Sequence, residues 1–427
     1  MWTTSNRRFH HGLALLVVAV AAAPAAGRVL WTDETGEQHL ALDTTLKSSG
    51  LATYGHDDAV LFPDRFTGAG LWRLRLGLDY RFSDQANARF DYENRARWVE
   101  RATPGGMGAA LPRDAETPYR VCPLEDELAE RKGRLFCRHE LDRAYLALHP
   151  DWGEVTVGRQ AIGLGRGAVF TAVDVFAPFS PLEFDREWRR GVDAVRAEYR
   201  LSDTSSAEVL GVFGQDRDGS ALLARLRGYV GEVDGELIIG KRAEDTMYAG
   251  VVSAAVGDAE VHMEAALFDT PEPQPDGGLF GSDHLVGKTV LGSSYTFDVG
   301  NGLTLLGEYH YSGFGVRDLR TALARLANPV FQERFLRGDM QILGRHAVAA
   351  SLTYPFNDDW TGSLMVLQSP RDGSGLVAPS VDWRMSDHAS LRMTTYVPWG
   401  AKPSGGILKS EYGGTPYSVF MQLTLYF

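Results

Sequence analysis

Between Leu71 and Phe82 the sequence sorts itself by parity: Trp72, Leu74, Leu76, Leu78, Tyr80 and Phe82 alternate with Arg73, Arg75, Gly77, Asp79 and Arg81. Wound into a helix, those arginines would be spread all round its surface. Only an extended strand puts them on one side and the apolar residues on the other. After Ser83-Asp84-Gln85-Ala86 the pattern resumes, with Ala88, Phe90, Tyr92, Ala96 and Trp98 set against Arg89, Asp91, Glu93, Arg95 and Arg97. Two long antiparallel strands joined by a tight turn are predicted.

The unit recurs to the end of the chain. Short polar turns fall at His149–Gly153, Leu201–Thr204, Glu232–Gly235, Gly257-Asp258, Asp298–Gly302, Asn357–Asp359 and Ser386–His388. Between them lie mostly longer connections, at 47–67, 102–138, 163–190, 214–219, 241–245, 269–284, 313–345, 369–373 and 400–415. With a weak first strand near Gln38–Leu46 this gives about 18 strands, and 16 if two weak ones are loop. Alternation is least clean from Tyr229 to Gly240, where Glu236 and Ile238 share a face.

The last strand runs from Pro416 to Phe427, with Tyr417, Val419, Met421, Leu423, Leu425 and Phe427 on one face and Ser418, Gln422 and Thr424 on the other. At roughly ten residues it can cross a hydrocarbon layer when tilted. Aromatic residues sort by depth. Tyr80, Phe82, Phe90, Tyr295, Phe297, Tyr354, Trp360 and Trp383 flank the short turns, while Trp72, Trp98, Tyr309, Tyr311, Trp399 and Tyr417 flank the long connections. Two aromatic belts with an aliphatic band between them describe a wall that spans a bilayer. The fold class is therefore all-β, a transmembrane antiparallel barrel. The terminal Phe427 resembles the closing residue of bacterial outer-membrane barrels, which implies recognition by the barrel-assembly machinery. Short turns opposite long loops also resemble those barrels, with turns in the periplasm and loops outside, among lipids and lipopolysaccharide.

Residues 1–27 read as an export leader: Arg7 and Arg8, an apolar run from Leu13 to Ala23, then Ala25, Ala26 and Gly27. Residues 28–427 are expected to form one barrel domain. The net charge of −12, about −14 without the leader's two arginines, disfavours nucleic acid as a partner. The two cysteines, Cys122 and Cys137, are close in sequence and beyond the leader, so a local disulfide is expected. No CxxC, HExxH or GxSxG pattern occurs, and no metal or cofactor is expected.

A barrel of this size is too wide for side chains alone to fill, so it encloses a channel unless loops plug it. The residues expected to line the pore are Arg73, Arg75, Arg89, Arg95, Arg97, Arg143, Arg159, Arg196, Arg200, Arg225 and Arg227 on the first arc. Acids are fewer there, chiefly Asp79, Asp91, Glu93, Glu198 and Glu208, whereas Glu236, Glu260, Glu264 and Glu308 outnumber Lys288 on the middle strands that face them. Opposed basic and acidic walls would orient charged solutes, and guanidinium groups would favour small anions. The competing expectation is that these charges pair across strands and select nothing. The connection 163–190 is the expected constriction. It carries Gly163, Gly165, Gly167, Phe170, Asp174, Phe176 and Phe184, and then Asp185, Arg186, Arg189 and Arg190. A phosphate cradle is rejected there because no Lys-Ser or Lys-Thr follows the glycines.

Val157-Gly158-Arg159-Gln160, the long loop, and Arg190-Gly191-Val192-Asp193-Ala194-Val195-Arg196 resemble the strand, loop, strand signature of the alginate-export and related porin-like families. The resemblance implies an 18-stranded barrel with an arginine-lined pore and places Arg159, Arg190, Asp193 and Arg196 in the lumen or at its throat. Gly165-Arg166 stands where a Gly-Asp pair is expected, so alginate itself is not implied.

In 316–340, Leu319, Leu323 and Leu326 precede Asn328-Pro329, which predicts two short helical pieces with Asn328 capping the second, over the mouth or on its rim. Asp216-Arg217-Asp218-Gly219 opens like a calcium loop but has Arg227 at position twelve, where Glu is needed. The expected function is a porin, as a monomer or homotrimer. The alternatives are an exporter of an anionic polysaccharide and an outer-membrane enzyme using His262 and His310 beside Glu260, Glu264 and Glu308.

Overall fold

The computed structural model describes residues 28–100, 118–122, 124–131, 134–183, 185–216 and 219–427. The expected leader, Phe184 and the Arg217-Asp218 pair lie outside them. Eighteen antiparallel strands form one closed ring. The ring closes where Tyr417–Tyr426 pairs with His39–Tyr54, from Tyr426 opposite Thr45 to Tyr417 opposite Tyr54. Closure pairs each of the eighteen ring strands with a neighbour on both sides, which a sheet inside a bilayer requires. Two further strands extend the ring locally: Arg28–Thr32 along residues 39–42, and Glu125–Arg131 beside Leu135–Leu148.

The first strand is longer than its sequence suggests, 16 residues instead of the Gln38–Leu46 expected. Elsewhere the alternation of short turns and long connections is as read, down to the tight turn between Phe66–Ser83 and Ala86–Val99. Parity decides what each side chain meets. On the outer face Val209, Leu237, Val252, Met263, Leu291 and Met421 are 44–65 % exposed, an apolar surface that water would not tolerate and acyl chains would. Phe82, Phe90, Phe297 and Trp360 ring the short-turn end, with Trp360 stacked on Trp383 at 5.0 Å. Trp72, Trp98, Trp399 and Tyr417 ring the other.

The inner face is less polar than expected. From Ser205–Phe213 onward, Leu210, Val212, Leu223, Ile238, Met247, Val251, Phe268 and Val290 point inward and are buried. They form one apolar cluster with Phe170, Val173, Val175 and Phe176, so the connection 162–190 lies inside the barrel against this arc. Ala322–Leu326 and Pro329–Arg337 are helical as predicted, and Phe331 and Phe335 pack against the same buried cluster. Asn328 accepts from Val330 N–H at 3.0 Å and Phe331 N–H at 3.3 Å, and Gly338 ends the second helix in the left-handed region.

Candidate functional site

The inward loop leaves the wall at Ala161, the end of Gly153–Ala161, and rejoins it at Gly191, the start of Gly191–Ser202. Its apolar side chains bury against the wall, but its backbone N–H groups would then lack partners, at a cost of about 1–3 kcal/mol each. Two inward carboxylates meet them. Glu264 accepts from Arg166 N–H, from Gly167 and Ala172 N–H at 2.7 Å, from Val173 N–H at 3.3 Å and from the Thr171 hydroxyl at 3.0 Å. Glu308 accepts from Ala168 at 2.5 Å, Val169 at 3.0 Å and Phe170 at 2.9 Å. The glycines in the loop belong to this cradle. A Cβ on Gly165, at φ +88°, would come within 2.3 Å of a Glu264 oxygen, and one on Gly167 within 1.8 Å of the Phe170 carbonyl. The anion that the Gly-rich segment wraps is the protein's own.

The loop's return segment meets the opposite arc. Asp185 accepts from Lys47 Nζ at 2.6 Å and Arg73 Nη1 at 3.0 Å, and Glu187 lies 2.6 Å from the same Lys47. Trp188 lies beneath three cations, with Lys47 at 3.9 Å, Arg75 at 4.9 Å and Arg73 at 5.1 Å from its ring centre. Arg186 ties the loop to itself through the carbonyls of Ala168, Ser180 and Pro181. Arg189 contacts Asp174 and donates to Ala177. Arg190 is half-buried where the loop rejoins the wall.

The arginine arc is not a bare basic face. Arg73 pairs with Glu93 at 3.0 Å, and Arg75 with Asp91 at 2.7 Å, Asp142 at 2.9 Å and Glu93 at 3.3 Å. Arg95 bridges Glu93 and Glu140, Arg143 meets Asp142 at 2.6 Å, and Arg89 joins Asp43 at 2.7 Å to Asp91 at 2.6 Å. Further round, Arg196 contacts Glu208 and Glu198, Arg225 meets Glu236 at 2.7 Å, and Arg227 meets Glu198 at 2.6 Å. The expected division into opposed basic and acidic walls is thereby corrected. To the expected acids Asp91, Glu93, Glu198 and Glu208 the arginine arc adds Asp43, Glu140 and Asp142, and Glu264 and Glu308 on the other arc are occupied by the loop. Arg97 is half-buried, whereas Arg200 and Glu260 are exposed near the short-turn rim.

Arg159 departs from the expected lumenal set. It has the parity opposite to Thr156, which stands across from Arg196. It forks onto Asp193 at 2.7 and 3.0 Å and donates to the carbonyls of Leu141 and Cys122. Asp193, out of phase with Arg196, thus joins Arg159 in the pair register itself, without a bulge. The expected disulfide is likewise corrected: Cys122 and Cys137 are both free. Cys137 is fixed in the sheet opposite Ala96 and Ala129, while Cys122 belongs to a segment held by Asp193 and Arg159. His262 lies 3.3 Å from Glu308, and His310 stacks on Phe170 at 4.8 Å, so both contribute to seating the loop.

Sequence reasoning missed Lys47, Asp142, Glu140 and Arg120. Arg120 meets Glu140 at 2.9 Å and Asp142 at 3.3 Å. It also missed the charge cluster at the outer mouth, where Arg334 pairs with Asp245 at 2.9 Å and Arg242 contacts Asp339. Burial alone would raise the Asp339 carboxyl, but Arg242, Arg337 and Arg334 together hold it far below the usual range. At the other end of the lumen a cavity of about 740 Å³ is lined by Arg166, Arg200, Arg227, Glu154, Glu198 and Asp234, among others.

No family model and no curated protein matches the sequence. Solved structures do match. Acinetobacter baumannii OccAB1 aligns over 95 % of this chain and 99 % of its own, at a TM-score of 0.57 and 8 % identity. Pseudomonas aeruginosa OpdK, solved with vanillate, aligns over 91 % and 98 % at 0.51 and 9 % identity. Pseudomonas aeruginosa OccK8 (OprE) aligns over 91 % and 98 % at 0.51 and 10 % identity. With the closed ring, the apolar outer wall and the loop folded into the lumen, these alignments establish that the chain has the fold of an outer-membrane porin.

Proposed function

We propose that the chain is an outer-membrane channel for small hydrophilic solutes, and that it favours anionic ones. The observation that carries the anionic preference is the station at Lys47 and Arg73. These two wall cations hold a carboxylate that comes from the loop rather than from the wall, through Asp185 at 2.6 and 3.0 Å. A solute carboxylate offers the same acceptor and can exchange for Asp185, with Trp188 alongside as an apolar and π-bearing surface. A carboxylate ligand is also what OpdK was solved with. In this reading Arg73, Arg75, Arg95 and Arg143 line the solute path beside the loop, and the loop is its narrowest point.

One observation favours a second reading, a weakly selective channel. Most lumenal arginines already have acid partners, and the cavity at the short-turn end carries Asp151, Glu154, Glu198, Asp203 and Asp234 against Arg166, Arg200 and Arg227. Reversal potentials in planar bilayers separate the two. Anion preference under a potassium chloride gradient, with aromatic carboxylates blocking the current and the block lost in Lys47→Met, supports the first. A reversal potential near zero, or cation preference, with no such block, supports the second.

A further inference from the structure

Among the described residues most buried charge is matched, and besides Lys402 Nζ one cluster stands out as an exception. On the adjacent strands Leu285–Phe297 and Leu303–Ser312, Lys288 stands directly opposite Ser312, and His310 is the next inward residue, opposite Val290. Lys288 is 2 % exposed, and His310 and Ser312 are wholly buried. Both ring nitrogens of His310 and the Ser312 hydroxyl lack a hydrogen-bond partner among the described residues, and Nη1 of the buried Arg242 has no hydrogen bond there, only Asp245 at 3.8 Å. The Lys288 ammonium has none among them either. The acids whose fields reach Lys288 are Asp339 and Glu264. Glu264 is already taken by the loop's donors, and Asp339 by Arg242, Arg334 and Arg337. Three buried cations, Arg242, Lys288 and Arg334, and the half-buried Arg337 therefore share two buried acids, Asp245 and Asp339, with Glu333 an exposed third at 4.0 Å from Arg337.

These unmet groups have a common chemistry. An ammonium, a guanidinium N–H, a hydroxyl and an imidazole N–H all donate, and the local charge is positive, so the missing acceptor is an anion. Phe170 of the loop lies flat on His310 at 4.8 Å, and the fully buried Ala347 stands opposite His310 on the next strand. We infer that Lys288, Ser312, His310 and Arg242 Nη1 hold a resident single-atom anion of the halide class, enclosed when the loop seats. It does not rest on the transport reading; it is a structural ion beneath Phe170, whatever crosses the lumen.

The test uses the whole barrel, refolded into detergent with sodium bromide as the only halide. Diffraction at the bromine absorption edge is expected to give an anomalous peak in contact with Lys288 Nζ, and Lys288→Met is expected to abolish it. In solution the thermal midpoint of the native chain should lie higher in sodium bromide than in sodium gluconate at equal ionic strength. Lys288→Met should lose that difference. Ser312→Ala, which keeps every charge, should reduce it and provides the reading if Lys288→Met fails to fold. Absence of bromine at this position, or one bromide response shared by the native chain and both variants, overturns the inference. Neither readout depends on conductance.

Discussion

The wall from His39 to Ala161 and the wall from Ser205 to Phe420 enclose one lumen but fill it differently. On the first arc the inward residues are ions in a continuous network, Lys47, Arg73, Arg75, Arg95 and Arg143 with Glu93, Asp91, Glu140 and Asp142. On the second they are mostly apolar and buried, from Leu210 through Met247 and Val290 to Phe420. One loop serves both, lying on the apolar arc through Phe170 and Phe176 and meeting the ionic arc through Asp185, Glu187, Trp188 and the Arg189 carbonyl, which accepts from Arg143. Burial holds the loop on one side, and exchangeable charge meets it on the other.

The asymmetry is open to attack at several points. The largest effect is expected from Glu264→Ala, which strips the partner from four loop N–H groups and the Thr171 hydroxyl. At about 1–3 kcal/mol for each donor left unpaired, the loop should detach, raising single-channel conductance and exposing Arg166 and Arg186 to trypsin. Unchanged conductance and protection would mean that the apolar contacts alone seat the loop. Next, Arg95→Glu should destabilise the ionic arc by about 3–5 kcal/mol, because it sets a third acid beside Glu93 and Glu140. Urea unfolding in detergent measures this, and a loss below 1 kcal/mol would show the network to be solvated. Leu76→Arg on the lipid face should cost about 2–4 kcal/mol near the midplane. Read by the same unfolding assay, it calibrates the other two.

The smallest effect concerns pH at the outer loops. Burial pushes Glu411 up to about 7 from 4.5, although Leu343 N–H at 2.8 Å and Gly344 N–H at 2.6 Å both point at it. A carboxyl raised in this way favours the folded contact when protonated. The stabilisation is complete below about pH 4.5 and is lost as pH rises through about 7. Protection of the Leu343 and Gly344 amides, corrected for intrinsic exchange, should therefore fall between pH 5 and about 8, and Glu411→Gln should remove the dependence.

Parity explains how much could be read in advance. Where a strand separates large apolar from charged residues, as in Phe66–Ser83, one sequence window suffices, because the side-chain period is local. His39–Tyr54 gives a weak signal, since Ser48, Gly50 and Ala52 outside and Ser49 and Thr53 inside barely differ in polarity, and Lys47 went unseen with it. The blurred alternation near Tyr229–Gly240 had a physical cause. Leu237 and Ile239 face outward while Ile238 is buried inward beneath the loop, so both faces are apolar. The partners of Glu264 and Glu308 could not be anticipated, because a carboxylate that receives backbone N–H groups about 90–140 residues away in sequence has no local signature.

The loop's two attachments also have a mechanical meaning. Lys47 and Arg73 stand at the start of the ring, and Glu264 and Glu308 well past its middle, so a single segment spans the hollow like a crossbar. A cylinder braced in this way resists being squeezed flat by lateral pressure from the surrounding leaflet. The hoop it spans is closed where Thr44 and Phe427 exchange two backbone hydrogen bonds, at 3.1 and 2.8 Å.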